Sequence, residues 1–199
     1  MHGFVLGNGE SRIGIDLEKL RKYGPIYGCN ALYRDFTPDV LISIDKGMIK
    51  EIQKAIDSGE YTGHLIWRDR RARVMRSTKE SVTYEDRGWS AGPTAAWLLC
   101  ERIKNVQIVY LVGFDLYGRQ VEGKRPRFNN VYKDTPNYRA SGSPETFFGN
   151  WVEQFRRLFH EFPKVRFLRV GNVRDKFPPE WQECPNIKFV SNKPEDCSK

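Results

Sequence analysis

The sequence predicts an α/β protein: a mostly parallel sheet with helices on both faces. Three observations predict it. Short apolar runs alternate with stretches of helical spacing along most of the chain. The strongest run, Val106 to Val112, is almost unbroken in apolar residues, as strands buried on both faces are. Several runs also stop on a small or polar residue, the type that meets ligands beyond the carboxyl ends of parallel strands.

The elements follow in order. Phe4-Val5-Leu6 reads as a strand running into a Gly7-Asn8-Gly9 turn. Leu17 to Lys22 is a short helix, Pro25 to Asn30 a second strand, and Val40 to Ile44 a third that ends at Asp45. Met48, Ile49, Ile52, Ala55 and Ile56 keep helical spacing, and Gly59 stops that helix. His64 to Trp67 is a fourth strand, followed by Arg68, Arg70, Arg71, Arg73 and Arg76. Residues 91–104 form the most apolar helix and feed the Val106–Val112 strand, which is expected to be central. Residues 118–143 are polar and aperiodic, the pattern of a lid or binding loop. Residues 144–162 read as an amphipathic helix with Phe147, Phe148, Trp151, Phe155, Leu158 and Phe159 inward. Val165 to Val170 and Ile187 to Val190 close the set as strands.

Composition bounds the class. At 199 residues the chain fits one domain over 1–199. Its 12 Phe, 9 Tyr and 5 Trp supply a core and exclude a disordered chain. No apolar run approaches the roughly 20 residues of a membrane helix. The first residues lack a basic lead and a long apolar stretch, so a cytoplasmic location is expected. Cys29, Cys100, Cys184 and Cys197 show no Cys-x-x-Cys spacing, and His2, His64 and His160 are scattered, so free thiols and no metal are expected. A net charge of +8 permits an anionic partner without choosing among nucleic acid, nucleotide and acidic surface. The arginines of 68–76, with Trp67 and Trp89, form either a solvated face or a groove for a nucleic-acid backbone. The C-terminal tail offers a surface for homo-oligomer formation.

The residues after the strands make one set: Gly7, Asn8, Gly9 and Ser11; Asn30; Asp45; then Gly113, Asp115 and Tyr117. The Gly7-Asn8-Gly9 turn is either an ordinary tight turn or a close-approach loop whose amides favour a phosphate. The dinucleotide fingerprint is incomplete: the third glycine is missing, and Asn30 stands where an acidic residue would bind ribose. Ser90-Ala91-Gly92-Pro93-Thr94 is either a helix N-cap or a second close-approach loop.

Four segments, Gly7-Asn8-Gly9-Glu10-Ser11, Cys29-Asn30, Ser90-Ala91-Gly92 and Val109 to Tyr117, carry a resemblance in their order and spacing. Over roughly residues 3–170 the chain resembles the bacterial sialyltransferases of glycosyltransferase family 42 and their sialyltransferase-like relatives, some of them phage-borne. The resemblance implies a Rossmann-like sheet, a CMP-activated sugar donor as substrate, and metal-independent inverting transfer with no further cofactor. It implies that Asn8 and Asn30 hold the nucleotide, with Gly7, Gly9, Ser11, Ser90, Gly92, Thr94 and Gly113 around it. It implies that Tyr117, in the intact Gly113-x-Asp115-x-Tyr117 segment, assists the departing phosphate, and it assigns a second tyrosine to Tyr132. Arg12 is the basic residue expected to steady the leaving group, and 118–143 the lid expected to close over the donor.

The chain also departs from that family. Asp45 replaces an asparagine, Ala91 replaces a hydroxyl residue, and the segment 137–143 lacks the family's catalytic histidine. Asp45, Asp115 and Asp134 are the candidate bases, because a carboxylate near its ordinary pKa is ionised at neutral pH. Two other functions fit the residues. One is a pterin-diphosphokinase-like enzyme using ATP and magnesium, which the chain resembles more distantly. The other is a non-catalytic nucleotide- or nucleic-acid-binding protein.

Overall fold

The computed structural model describes residues 1–171 and 177–191. Cys197 and the C-terminal tail expected to mediate association lie outside the described residues.

The elements in chain order are β1 (His2–Leu6), α1 (Leu17–Leu20), β2 (Ile26–Cys29), β3 (Val40–Ser43), α2 (Lys46–Asp57), β4 (Leu65–Asp69), β5 (Val74–Ser77), β6 (Tyr84–Glu85), α3 (Ala91–Arg102), β7 (Ile108–Val112), β8 (Arg119–Val121), β9 (Lys124–Arg127), α4 (Gly149–Glu161), β10 (Arg166–Val170) and β11 (Ile187–Val190). One sheet carries the order β11-β10-β7-β1-β2-β3-β4-β5-β6. Its strands run parallel from β11 to β4, and β5 and β6 add an antiparallel edge. This is the predicted α/β class with a mostly parallel sheet.

Alternation along each strand builds two cores. Val5, Val109 and Leu111 face α3 and α4, while Phe4, Leu6, Tyr110 and Val112 face α1 and α2. Helix α3 lies between the sheet and α4, so it is buried from Ala91 to Cys100, which is why it reads as apolar all round. Helix α4 is one-sided: Val152, Phe155, Leu158 and Phe159 are buried against the fully enclosed Trp181. No helix among the described residues is long and apolar enough to cross a membrane.

Several expectations need correction. Strand β7 is interior, between β10 and β1, but lies two strands from one edge. Helix α4 starts at Gly149 rather than 144, and Phe147 is 72% exposed instead of facing the core. The polar stretch 118–143 contains the β8–β9 hairpin. In the arginine cluster Arg68 pairs with Asp86 and Arg76 with Asp69, Arg70, Arg71 and Arg73 are exposed, and Trp89 is buried in the core rather than open for stacking.

Candidate functional site

The chain leaves β1 toward β2 on one side and continues from β7 toward β10 on the other. The sheet therefore splits its connections beyond the carboxyl ends of β1 and β7, the place where parallel α/β proteins open a crevice. The two turns there cross in contact. The Gly7 amide donates to the Val112 carbonyl at 2.7 Å, and the Gly9 amide to the Gly113 carbonyl at 2.8 Å. A Cβ on Gly7 would sit 2.5 Å from the Gly113 carbonyl oxygen, and Gly113 has φ of 73°, so both positions need glycine.

A cleft of about 310 Å³ opens at this crossing. Gly7, Asn8, Gly9, Asn30, Asp45, Ser90, Gly92, Gly113 and Asp115 line it, as the strand-end pattern predicts. Ser11, Thr94, Tyr117 and Tyr132 do not.

Asn8 forms the floor. Its Nδ2 donates to the Cys29 carbonyl at 3.1 Å and to the Tyr138 hydroxyl at 3.2 Å, while its buried Oδ1 has no partner among the described residues. Asn30 sits at φ of 55°, a conformation asparagine tolerates better than most residues. Its Oδ1 accepts from Ser43 Oγ at 3.3 Å, and its amide nitrogen has no partner among the described residues. Asp45 precedes α2, is exposed, and makes no capping bond; its carboxylate accepts no hydrogen bond from a described residue.

The opposite wall is the start of α3. The Ser90 amide donates to Gln154 Oε1 at 2.8 Å, and the Ser90 side chain makes no capping bond. The amides of Ala91 and Gly92 belong to the first helical turn and have no acceptor among the described residues, and Pro93 carries no amide hydrogen. Gly92 lets the helix approach the Gly113–Asp115 turn, because a Cβ there would press into the Phe114 ring. Two free amides at a helix N-terminus favour an anion.

Of the other predicted residues, Asp115 lines the cleft but is engaged within the fold, and the rest hold the site from behind or lie outside it. Asp115 accepts from the Ser11 amide at 2.8 Å and from the Ser11 hydroxyl, so this pair caps the turn Glu10–Arg12. Thr94 is buried in α3, its amide bonded to the Ser90 carbonyl at 3.0 Å. Tyr117 packs edge-on against Phe148, 4.5 Å between centroids. Arg12 is buried away from the cleft, donating to Asp35 Oδ2 at 3.2 Å and to the Tyr132 hydroxyl at 2.7 Å. Tyr132 in turn donates to Asp35, and burial pushes its phenol well above the ordinary value. Asp134 is exposed and accepts from the Ser141 amide at 2.8 Å, so it shapes a turn outside the cleft.

The residue that the sequence reading missed is Tyr138, which lines the cleft. Its hydroxyl oxygen receives Asn8 Nδ2 and the Ala31 amide, at 3.2 and 3.4 Å. With two donors directed at the oxygen, its own proton remains for a group in the cleft. Desolvation raises its pKa, so that proton is retained at neutral pH. Cys29 also lines the cleft, but burial pushes its thiol up to about 12 and it donates to the Leu6 carbonyl, so it is no nucleophile. Tyr138 is held by its loop: the Val131 amide donates to the Asn8 carbonyl, the Glu10 amide to Asn129, and Arg34 reaches Thr135 and the Pro136 carbonyl.

Fold and cleft thus define a parallel α/β protein with a polar site at its topological switch point. No family model matches the chain, and no curated protein matches it. A solved structure to which it is similar is a point mutant of the α-2,3/8-sialyltransferase CstII, at 12% identity over 85% of this chain and 81% of that chain, with a TM-score of 0.40. At that identity and score the likeness says nothing about what this chain binds.

Proposed function

We propose that the cleft binds a nucleotide-activated sugar, CMP-activated by preference, and that the protein transfers the sugar to an acceptor. The observation that carries this reading is the convergence of two free helix-terminal amides, two asparagines with unused polar atoms, a hydroxyl proton and an unbonded carboxylate on one cleft. No Lys or Arg lines it among the described residues. A single phosphodiester suits such a wall, because amides and the helix dipole carry about half a unit of positive charge. A diphosphate would call for cations or magnesium.

In the proposed reaction the Ala91 and Gly92 amides hold the phosphate and Asn8 and Asn30 orient the nucleoside. The acceptor hydroxyl attacks the anomeric carbon, its proton passes to Asp45, and the bond from carbon to phosphate oxygen breaks. The phosphate leaves with the electron pair, and the Tyr138 hydroxyl donates to the developing charge. A second hollow of about 140 Å³ shares Asn30, Asp45 and Tyr138 and is the proposed acceptor side. Within the proposed lid 118–143, residues 129–138 serve as a fixed wall, and the β8–β9 hairpin is the part that closes.

A thermal-shift screen tests this with CMP, UMP, ADP, CMP-sialic acid and UDP-sugars, each with and without magnesium. Ligand at 100 times its Kd adds about 2.7 kcal/mol, which raises the Tm by roughly 5–10 °C in a chain this long. CMP and CMP-sialic acid are expected to give that shift without magnesium. A shift only with ADP plus magnesium, or none with any nucleotide, overturns the reading.

A further inference from the structure

We propose that His160, Glu183 and Cys184 form a divalent-metal site of zinc type that clamps the end of α4 to the segment leading into β11. One ligand atom from each residue lies within 4.8 Å of the other two. Cys184 Sγ is 3.7 Å from His160 Nε2, and Glu183 Oε1 is 3.7 Å from the same nitrogen. Tetrahedral zinc, bonded to sulfur at ~2.3 Å and to nitrogen or oxygen at ~2.0–2.1 Å, sets its donors about 3.4–3.6 Å apart. The two pairs that share His160 Nε2 therefore stand close to ligating separation before any ion arrives, and the third pair, Glu183 with Cys184, lies within 4.8 Å. An imidazole, a thiolate and a carboxylate select a borderline-soft ion over magnesium or calcium, and water completes the fourth position.

The site is built rather than incidental. Trp181 is fully buried against Phe155 and Phe159, and its indole donates to the Val152 carbonyl at 2.9 Å. Asn186 Nδ2 donates to the carbonyls of Phe159, Phe162 and Val165 at 2.9, 3.1 and 3.1 Å. These anchors flank Glu183 and Cys184 and dock their turn on the last turns of α4, where His160 stands. The Cys184 amide bonds back to the Trp181 carbonyl at 3.0 Å, which closes the turn. Arg156 donates to Glu183 Oε1 at 2.8 Å and so orients the carboxylate, while its Nε binds Glu153 at 2.9 Å. Metal binding releases the thiol proton of Cys184 as the metal–sulfur bond forms. Trp151 lines the cleft, and His160 lies nine residues further along α4, about 13 Å down the axis, so the metal has a structural place and no part in the proposed transfer.

Cobalt and zinc titrations of the full-length protein test the site. One Co²⁺ per chain is expected, with the near-ultraviolet charge-transfer absorbance of a cobalt–thiolate bond, displaced by Zn²⁺. Cys184→Ser is expected to abolish the absorbance, and Cys197→Ser to leave it intact. His160 is exposed, so His160→Gln spares the core; it is expected to weaken binding by at least the ~10–100-fold that follows loss of a group supporting a ligand. Absence of stoichiometric Co²⁺ or Zn²⁺ binding overturns the proposal. So does absorbance that survives Cys184→Ser or vanishes with Cys197→Ser, or unchanged affinity in a folded His160→Gln.

Discussion

Tyr138→Phe removes one oxygen that accepts two hydrogen bonds inside the protein and, in the proposed reaction, donates one to the departing phosphate. The two effects differ in size. The accepted bonds are long, 3.2 Å from Asn8 Nδ2 and 3.4 Å from the Ala31 amide. Asn8 Nδ2 keeps the Cys29 carbonyl, so the variant leaves chiefly the Ala31 amide unpaired. At ~0.5–1.5 kcal/mol net for such a bond, stability should fall by about 1–2 kcal/mol. A chain stable by ~5–15 kcal/mol stays folded after that loss. Removing a donor aimed at developing charge lowers turnover by ~10²–10³-fold.

Release of CMP from CMP-sialic acid at saturating donor, measured beside urea unfolding, reads both quantities. Two other tyrosines serve as controls. Tyr117→Phe loses a hydroxyl with no hydrogen-bond partner among the described residues and should stay within about 0.5 kcal/mol of the parent. Its turnover should change by less than about twofold, because no transition-state contact is lost. Tyr132→Phe breaks bonds to Arg12 and Asp35 and should lose about 1.5–3 kcal/mol with turnover per folded molecule retained. A folded Tyr138→Phe with parental turnover, or a large turnover loss in Tyr117→Phe, would refute the assignment.

Three further outcomes are expected. Gly92→Ala drives a Cβ into the Phe114 ring and should cost about 1–3 kcal/mol while abolishing the thermal shift with CMP; Phe114→Leu in the same chain should restore part of each. Asp35→Asn leaves buried Arg12 with Tyr132 as its remaining side-chain partner. Because Asp35 is 46% exposed, the loss in urea unfolding should be only about 1–2 kcal/mol, with CMP affinity unchanged. The buried His64 ring bonds Ser77 Oγ at 2.7 Å, and desolvation lowers its pKa from 6.5, so the unfolded chain binds the proton more readily. Stability should be full above pH 6.5 and decline as pH falls below it, and His64→Gln should flatten that decline. His2, also lowered by burial, keeps its share of the slope in both proteins.

The strand-end residues were legible because a parallel sheet puts them together whatever their separation in sequence. Gly7, Asn30, Asp45 and Gly113 meet at one cleft for that reason, while Gly92 reaches it from the small-residue turn that opens α3. Strands β5 and β6 were illegible because an exposed antiparallel edge tolerates Arg76 and Glu85, which break the apolar run. Phe147 misled because it continues the apolar spacing of α4 beyond the helix itself. Tyr132 and Tyr138 were indistinguishable because an irregular segment has no period. Only tertiary bonds, Arg12 and Asp35 to one, Asn8 and Ala31 to the other, decide which hydroxyl faces the cleft. The metal triad was hidden because His160 and Cys184 are 24 residues apart and meet only through the docked turn.

The net charge of +8 misdirects in a similar way, since much of it is not on the surface that matters. Arg12 and Arg68 are held in ion pairs, and Arg169 is buried behind the cleft, donating to the Phe114 carbonyl at 3.2 Å. They brace the walls and carry no charge into the opening. The positive side of the cleft is the start of α3, and the Asp45 carboxylate lines the same cleft, so the opening carries no net positive charge before a ligand binds. Such a site responds little to salt. A ligand contact that replaced one condensed counterion would weaken by about 3- to 4-fold between 50 and 200 mM salt, and an amide-held phosphate by less. Exposed Arg70, Arg71 and Arg73 would instead give any nucleic-acid binding a steep dependence, ~10³-fold or more for six contacts. Calorimetry of CMP across that salt range separates the two: an affinity change well below threefold fits amide capture, and a loss of about 3- to 4-fold or more places a cation at the phosphate and refutes it.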